Sequence, residues 1–214
     1  MSALRISAYP IDIVKLAVSQ KPGLARVLLM SALLGLGLIA GCAQEQAPAG
    51  RFNPLGTAGV YDERAEIAFA KAHALWRNDQ CADPDKAILW LNEAVQVEPA
   101  YAEAWMWRGR AYGEKGQYAL ALEDMDRSVR LAPTPLAYAY RGWVQTQLGN
   151  LLGAEADLDY ALQLDPASYR AWNFRGQMHM QRGDSARACD DFAAGCRYGA
   201  CDELENAKKR GLCQ

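Results

Sequence analysis

Residues 104–109 read AWMWRG, residues 137–142 read AYAYRG and residues 171–176 read AWNFRG. The Arg-Gly pairs in these stretches are 33 and 34 residues apart, and another glycine follows seven residues after the glycine of each pair, at Gly116, Gly149 and Gly183. Self-similarity at such a period is typical of repeat proteins, in which each unit buries its apolar face against the next. The sequence therefore predicts a stack of similar units.

The residue types within each unit resemble the tetratricopeptide repeat. The second unit carries the aromatic, glycine, aromatic, alanine, large apolar and proline residues of that family in order, at Trp105, Gly109, Tyr112, Ala121, Met125 and Pro133. Five positions depart from the pattern: Ser128 and Gly195 replace alanines, Gln145 and His179 replace aromatic residues, and Ala200 replaces a proline. A further copy upstream is more divergent and has an expanded turn, RNDQCADPD, between its helices.

The resemblance implies an all-α fold, a right-handed solenoid of about four helix-turn-helix hairpins over residues 61–200. Its repeats are expected at about 65–101, 102–134, 135–168 and 169–200. Glycine and alanine suit the places where two helices cross closely, and proline stops the second helix of each pair. Residues 201–214 are expected to form a C-terminal cap with a short helix.

The family resemblance also implies a concave groove, lined by the first helix of each repeat, that takes up segments of partner proteins. By analogy with the groove positions of the family, the residues presented there are Glu103, Met106, Arg110, Ala139, Trp143, Thr146, Asn173, Gln177 and Met180. Trp143 has two interpretations, an anchor for a partner or a residue that packs against the neighbouring helices. The lysine and asparagine set with which some family members hold a C-terminal carboxylate is missing.

Each arginine of the Arg-Gly pairs is followed sixteen residues later by an aspartate. We expect ion pairs between the two helices of one repeat, joining Arg108 to Asp124, Arg141 to Asp157 and Arg175 to Asp191. Three unrelated solvated charges are the alternative. If the pairs are partly exposed, each contributes at most about 1 kcal/mol to stability.

The N-terminus has the features of a targeting segment. Residues 27–40 read VLLMSALLGLGLIA after Arg26, which is short of the roughly 20 residues that span a bilayer but suits a signal peptide. The following Ile39-Ala40-Gly41-Cys42 resembles the lipobox of bacterial lipoproteins. We therefore expect cleavage after residue 41, lipidation of Cys42 and a flexible tether over residues 42–60. An uncleaved anchor or a chance apolar helix is the alternative.

The cysteines predict a stapled cap. Besides Cys42 and Cys81, the chain has four cysteines in its last 26 residues, Cys189, Cys196, Cys201 and Cys213. In an oxidising compartment these predict disulfides, and an antiparallel final helix favours Cys196–Cys201 with Cys189–Cys213 among three possible connectivities. Zinc is the alternative, but the spacing lacks close C-x2-4-C pairs.

The remaining features argue against several function classes. Without residues 1–42 the net charge is about −5, with no basic cluster, so a nucleic-acid surface is not expected. His73 and His179 lie on different predicted helices away from any nucleophile motif, and neither a phosphate-binding loop nor a C-x-x-C motif occurs. We predict no enzyme, cofactor or metal.

The sequence thus predicts an adaptor for assemblies or cell-wall enzymes, anchored by lipid in the bacterial envelope. Ala43, which follows the lipidated cysteine, implies the outer membrane by resemblance to other lipoproteins, with the repeats facing the periplasm. Its partners would be unidentified envelope proteins or peptides. The alternatives are a structural component that self-associates, as in a homodimer, and a redox- or metal-responsive cysteine module.

Overall fold

The computed structural model describes residues 61–77 and 79–214. This part of the chain forms nine helices and two short strands, in the order α1 (Glu63–His73), β1 (Trp76–Arg77), β2 (Gln80–Cys81), α2 (Pro84–Val97), α3 (Ala102–Glu114), α4 (Tyr118–Leu131), α5 (Pro135–Gln147), α6 (Leu151–Leu164), α7 (Tyr169–Arg182), α8 (Ser185–Arg197) and α9 (Asp202–Lys209).

The helices pack in consecutive pairs, which confirms the predicted solenoid of helix pairs. Helix α1 packs on α2, α3 on α4, α5 on α6 and α7 on α8, and each pair also contacts the next. The first helices form an inner layer, because α5 lies against α7 and touches α3 as well. Helix α9 then packs against α8 and closes the C-terminal end.

The glycine that recurs seven residues after each Arg-Gly pair ends a first helix. Gly116, Gly149 and Gly183 have φ angles of 73°, 78° and 87°, in the left-handed region that residues with a Cβ rarely adopt. The next helix then starts on a short turn. Its first turn is capped in α6 and α8, where the Asn150 and Asp184 side chains accept bonds from the backbone of Gly153 and Arg187.

The glycine of each Arg-Gly pair has a different role, close contact between the two helices of a repeat. A Cβ at Gly142 would lie 2.7 Å from Cγ of Leu158 and 3.2 Å from the carbonyl oxygen of Ala154. Fully buried alanines accompany it on the facing helix at Ala154 and Ala161. The small residues let the backbones approach, and large apolar side chains such as Leu158 fill the space beside them.

The expanded turn of the first repeat adds a feature that the all-α prediction lacks. Strands β1 and β2 pair antiparallel, with Trp76 opposite Cys81 and Arg77 opposite Gln80. Asp79, in the connection between them, has a φ of 61°. Aspartate tolerates this conformation better than most residues and is common in tight hairpin turns. The expanded turn therefore begins with a β-hairpin and ends in the first residues of α2.

The C-terminal cap is stapled by two disulfides. Cys189 is bonded to Cys213, and Cys196 to Cys201, so the bonds are nested around the turn that leads into α9. The cap has a small core of its own, in which Ala207 of α9 packs with Phe192 of α8. The remaining described cysteine, Cys81, is free and half-buried. The four clustered cysteines are thus disulfide-bonded rather than available as zinc thiolates.

The predicted signal peptide and tether, including Cys42, lie outside the described residues. Among residues 61–77 and 79–214, no helix combines the length and the apolar character needed to cross a membrane.

Gly142 provides a test of the close helix packing. Alanine is the better helix former by about 0.5–1 kcal/mol, but the added methyl group must displace Leu158, and overpacking typically destabilises by about 1–3 kcal/mol. We therefore expect Gly142→Ala to lower the free energy of unfolding in urea by about 1 kcal/mol. Gln147→Ala, at an exposed position of the same helix, serves as the control. A Gly142→Ala protein more stable than wild type would contradict the packing argument.

Candidate functional site

A cavity of about 400 Å³ lies on the inner layer of helices. Its wall combines residues of the β-hairpin, of the C-terminal cap, and of α3, α5 and α7, which are the first helices of the second, third and fourth repeats. They are Asp79, Gln80, Arg110, Glu114, Tyr140, Trp143, Tyr169, Arg170, Asn173, Phe174, Gln177, Ala200, Asp202 and Glu203. We call this space the concave cavity. Its size is within the range of sites that take small ligands or a few residues of a peptide.

Aromatic side chains form the floor of the concave cavity. Trp143 and Phe174 stack with ring centroids 5.9 Å apart and an angle of 27° between their planes, and Tyr140 lies 5.6 Å from Phe174. Trp143 also packs closely on α3, because a Cβ at Gly113 would lie 2.5 Å from its ring. Both interpretations of Trp143 therefore describe the same side chain: one part packs on Gly113 while another part lines the cavity.

The β-hairpin of the first repeat contacts the fourth repeat along one side of the concave cavity. The Asp79 carboxylate accepts a hydrogen bond from the Tyr169 hydroxyl at 3.2 Å and another from the Arg170 guanidinium. Its backbone carbonyl accepts a bond from Arg110. Contacts separated by about ninety residues in sequence thus join the first repeat to α7 on one side of the cavity.

Two arginines, Arg110 and Arg170, line this side of the cavity, and the Glu114 and Asp79 carboxylates of the chain balance their charges. Arg110 is only 5% exposed, and it donates to the Glu114 carboxylate at 3.0 Å. Its guanidinium also lies 5.0 Å and 5.3 Å from the ring centres of Trp107 and Tyr140. These contacts compensate the buried charge, since ring faces attract cations.

The ionisation of the neighbouring groups follows from the same geometry. Burial raises the pKa of the Asp79 carboxyl, but the hydrogen bond and charge of Arg170 and the charge of Arg110 outweigh it, so the pKa lies below its ordinary value. The pKa of Tyr140 is raised, because the effect of burial outweighs the opposing charges of Arg110 and Arg170. At neutral pH, Asp79 is therefore an anion and Tyr140 a neutral hydroxyl.

The opposite end of the concave cavity is acidic. Asp202 and Glu203, in the first turn of α9, line it there, and Glu203 accepts a hydrogen bond at 3.1 Å from the Gln177 amide. The cavity therefore has a side of paired arginines and carboxylates at the β-hairpin, an aromatic floor and an anionic side at the cap.

Five of the nine predicted groove residues line a cavity. Arg110, Trp143, Asn173 and Gln177 line the concave cavity, and Met180 lines a smaller one beside Gln177. Glu103 is half-buried and belongs to neither wall.

Met106, Ala139 and Thr146 belong to the core, which corrects the prediction for these positions. Met106 packs with Met125 and Val144, and Ala139 is fully buried, because the next helix pair covers this face of the inner layer. The Thr146 hydroxyl donates to the Gly142 carbonyl at 2.9 Å and is also buried.

Several wall residues were missed by the sequence reasoning, although some had a signal. The wall residues Tyr140 and Phe174 each precede an arginine of the Arg-Gly pairs, so an aligned aromatic position was visible in the repeats. Arg170 follows the first residue of its helix in the same register as Glu103, which the prediction did include. Asp79 had no such signal, because its role depends on a contact with a distant helix.

The three predicted Arg–Asp pairs are bidentate contacts in the structure. Arg108 and Arg141 each bond both carboxylate oxygens of their aspartates at 2.7 Å, and Arg175 bonds those of Asp191 at 2.7 and 3.0 Å. Each arginine also reaches the second helix of the preceding repeat, at Asn92, Asp126 and Asp159 respectively. We call these contacts the Arg–Asp ladder. It joins successive repeats, which the sequence-based expectation did not include.

An aromatic ring covers each arginine of the ladder. Trp105, Tyr138 and Trp172 lie 4.6, 5.4 and 4.7 Å from the guanidinium carbons of Arg108, Arg141 and Arg175. Burial lowers the pKa of Arg175, but its hydrogen bonds to Asp191 and Asp159 outweigh that effect and raise it. The arginines are thus firmly charged members of a partly dry network.

The burial of the aspartates also determines what the loss of an arginine would cost. The side chains of Asp124, Asp157 and Asp191 are only 5%, 9% and 6% exposed. Removing the arginine from such a pair leaves a buried carboxylate without its main donor. That loss exceeds the limit of about 1 kcal/mol that applies to exposed pairs.

His73 packs against an aromatic side chain, and His179 lies beside the Arg–Asp ladder. The His73 ring stands edge-on to Trp107 at 4.5 Å, and burial together with the charge of Arg110 lowers its pKa. His179 is 5% exposed, with its Nε2 atom 3.6 Å from the Asp191 carboxylate. Neither histidine lines the concave cavity.

Arg141 tests the ladder. We expect Arg141→Met to lower the free energy of unfolding by about 3 kcal/mol, because Asp157 stays buried and keeps only the 2.9 Å bond from Gln145. Asp157→Leu added to Arg141→Met should recover part of the loss, because no buried charge then remains. Chemical denaturation measures both. Arg197→Met, at an exposed arginine of α8, is the control, and equal effects of Arg141→Met and Arg197→Met would refute the ladder's contribution.

The repeat region matches family models. Residues 102–135 match one tetratricopeptide repeat model and residues 136–199 match another. Residues 102–199 are tetratricopeptide repeats. The tetratricopeptide fold is a scaffold for protein–protein interaction, and the helix pair α1–α2, before the matched residues, packs onto α3 in the same way as the later pairs pack on each other.

Curated relatives share the repeats over part of their length. Human tetratricopeptide repeat protein 13 is 34% identical over 114 residues, which are 50% of this chain and 13% of that protein. Bacteriophage adsorption protein A of Escherichia coli K12 is 30% identical over 99 residues, which are 46% of this chain and 10% of that protein. This chain therefore spans only a small part of both relatives.

Solved tetratricopeptide structures share the fold. The Cut9–Hcn1 assembly of the APC/C has a TM-score of 0.59 at 18% identity, covering 69% of this chain and 30% of that one. MamA of Desulfovibrio magneticus has a TM-score of 0.53 at 18% identity, covering 70% and 86%. The first tetratricopeptide domain of Spaghetti (RPAP3), bound to an HSP90 peptide, has a TM-score of 0.52 at 22% identity, covering 57% and 97%.

Proposed function

We propose that this protein is a lipid-anchored adaptor of the bacterial cell envelope that holds a segment of a partner protein in its concave cavity. The observation that carries the binding part is the cavity itself, with an aromatic floor between two charged sides. Stacked aromatic rings offer a large apolar area at a low entropic cost, and such residues dominate binding energy at interfaces.

The fold supports a polypeptide as the ligand. Tetratricopeptide domains bind peptides and partner proteins, and the RPAP3 domain described above is bound to an HSP90 peptide. The cavity of this chain, at about 400 Å³, has room for only a few residues, so it suits a short segment. The partner would be another protein of the envelope, with which the adaptor assembles.

The envelope location rests on the N-terminal sequence. The apolar run ends at small residues followed by Cys42, and a linker rich in alanine, glycine and proline follows, as in lipoproteins. The two disulfides agree with an oxidising compartment such as the periplasm. Lipid at Cys42 would anchor the repeats to the outer membrane, and Ala43 would not favour retention in the inner one.

Photo-crosslinking in living cells tests the binding site. A photoreactive residue at Gln177, which lines the concave cavity, should capture a second polypeptide, whereas the same residue at Leu152, which is 79% exposed on α6, should not. Trp143→Ala should reduce the capture at Gln177 at least tenfold, provided that circular dichroism shows the variant to be folded. Capture of a second copy of this chain would favour a self-associating component, and capture at Leu152 alone would refute the cavity as the binding site.

Lipid labelling tests the anchor separately. Cells grown with radioactive palmitate should label the wild-type protein and the Cys81→Ala variant, because Cys81 lies in the β-hairpin far from the processing site in sequence. Cys42→Ala should carry no label and should leave the outer-membrane fraction of a density gradient. Label that persists in Cys42→Ala would contradict the lipoprotein proposal.

A further inference from the structure

The β-hairpin places an acidic side chain of the protein itself against the two arginines that line one side of the concave cavity. The Asp79 carboxylate bonds Tyr169 and Arg170 and lies 3.6 Å from the Arg110 guanidinium, which also bonds the Asp79 carbonyl. Tyr169 and Arg170 belong to the fourth repeat, which two other repeats separate from the first in sequence. Asp79 therefore occupies, from within the chain, a site that recognises a carboxylate.

The base of the β-hairpin is fixed more firmly than its tip. Glu114 of α3 accepts hydrogen bonds from the Trp76 indole and from the Cys81 backbone, both at 3.0 Å. Trp76 also packs against Trp107 with ring centroids 4.9 Å apart. The hairpin base is thus attached to the third helix by an apolar and a polar contact.

The tip of the hairpin, at Asp79, is held less firmly. The side chain of Asp79 is 50% exposed, and its φ of 61° disfavours a residue with a Cβ. A ribbon of two strands with two residues each has little stability of its own. The tip is therefore suited to leave α7 while the base stays on α3.

The two arginines respond differently when Asp79 leaves. Arg110 keeps the Glu114 carboxylate and the surrounding rings. Arg170 loses the carboxylate on which its ion pair rests, although its side chain is only 27% exposed. A cation with restricted access to water favours the entry of another anion.

We propose that the Tyr169–Arg170 side of the concave cavity binds an aspartate or glutamate side chain of the partner, in competition with Asp79. The proposal rests on the adaptor function above and specifies the chemistry of its ligand. An apolar residue next to the acidic one lies on the floor of Trp143 and Phe174. Because Asp202 and Glu203 make the far side anionic, the segment carries one carboxylate rather than an acidic run.

A pair of short peptides tests this directly. The probe is fluorescein-labelled Ala-Asp-Leu-Leu-Ala with an amidated C-terminus, and the control peptide carries asparagine in place of aspartate. Binding to the full chain, purified in detergent, is followed by fluorescence anisotropy. Asp79→Gly should bind the aspartate peptide at least tenfold more tightly than wild type, since glycine accepts the backbone conformation and removes the competing carboxylate.

Two further variants make the result specific. Adding Arg170→Ala to Asp79→Gly should abolish the gain, and the asparagine peptide should show none. Asp79→Asn, which preserves the size of the side chain, should act in the same direction as Asp79→Gly. Asp85→Asn is the charge-matched control, because Asp85 pairs with Lys115 outside the concave cavity, and it should leave binding unchanged.

The outcomes separate this inference from the adaptor proposal. No gain in Asp79→Gly, an equal gain for the asparagine peptide, or a gain that survives Arg170→Ala would overturn the competition. If the photoreactive residue at Gln177 still captures a partner in those cases, the adaptor function stands and only the acidic ligand is wrong. If both the peptide and the capture fail, the concave cavity is not the binding site.

Discussion

The arrangement of the repeats depends on the arginine that precedes the helix-contact glycine. It bonds the aspartate of its own second helix in bidentate fashion and reaches a polar residue of the preceding second helix. One side chain therefore fixes three helices at once. Because the planar guanidinium has its donors in a fixed fork, the contact restricts orientation as well as distance. Repetition of this contact at Arg108, Arg141 and Arg175 gives successive repeats a consistent relation.

The same short motif also creates the cavity. Consecutive residues on a helix point about 100° apart, since 3.6 residues make a turn. In the motif Tyr140-Arg141-Gly142, the tyrosine faces the inner layer, the arginine faces the second helices and the glycine permits their close approach. Packing between helices and the aromatic floor are therefore set by adjacent residues. A change that rotated the helix to improve one of these contacts would disturb the others.

How much could be predicted from the sequence depended on whether a feature recurs in every repeat. Features that recur with the period of the repeats could be predicted from the sequence: the helix pairs, the turn glycines and ion pairs such as that of Arg141 with Asp157. The second partner of each arginine was missed because pairing within a repeat was considered alone. The position of Asp79 was inaccessible, since it depends on how far the solenoid curves over about ninety residues. Met106 and Thr146 were misplaced because the adjoining helix pair covers them.

The cap links the four clustered cysteines to the wall of the concave cavity. Helix α9 has eight residues, and Ala207 is its only buried residue, so its packing alone would hold it weakly. The disulfides on both sides of α9, Cys196–Cys201 before it and Cys189–Cys213 after it, restrict its departure from α8. They thereby keep Glu203 against Gln177 and retain the anionic wall of the cavity. The disulfides thus hold two carboxylates, Asp202 and Glu203, on the side of the cavity opposite Asp79.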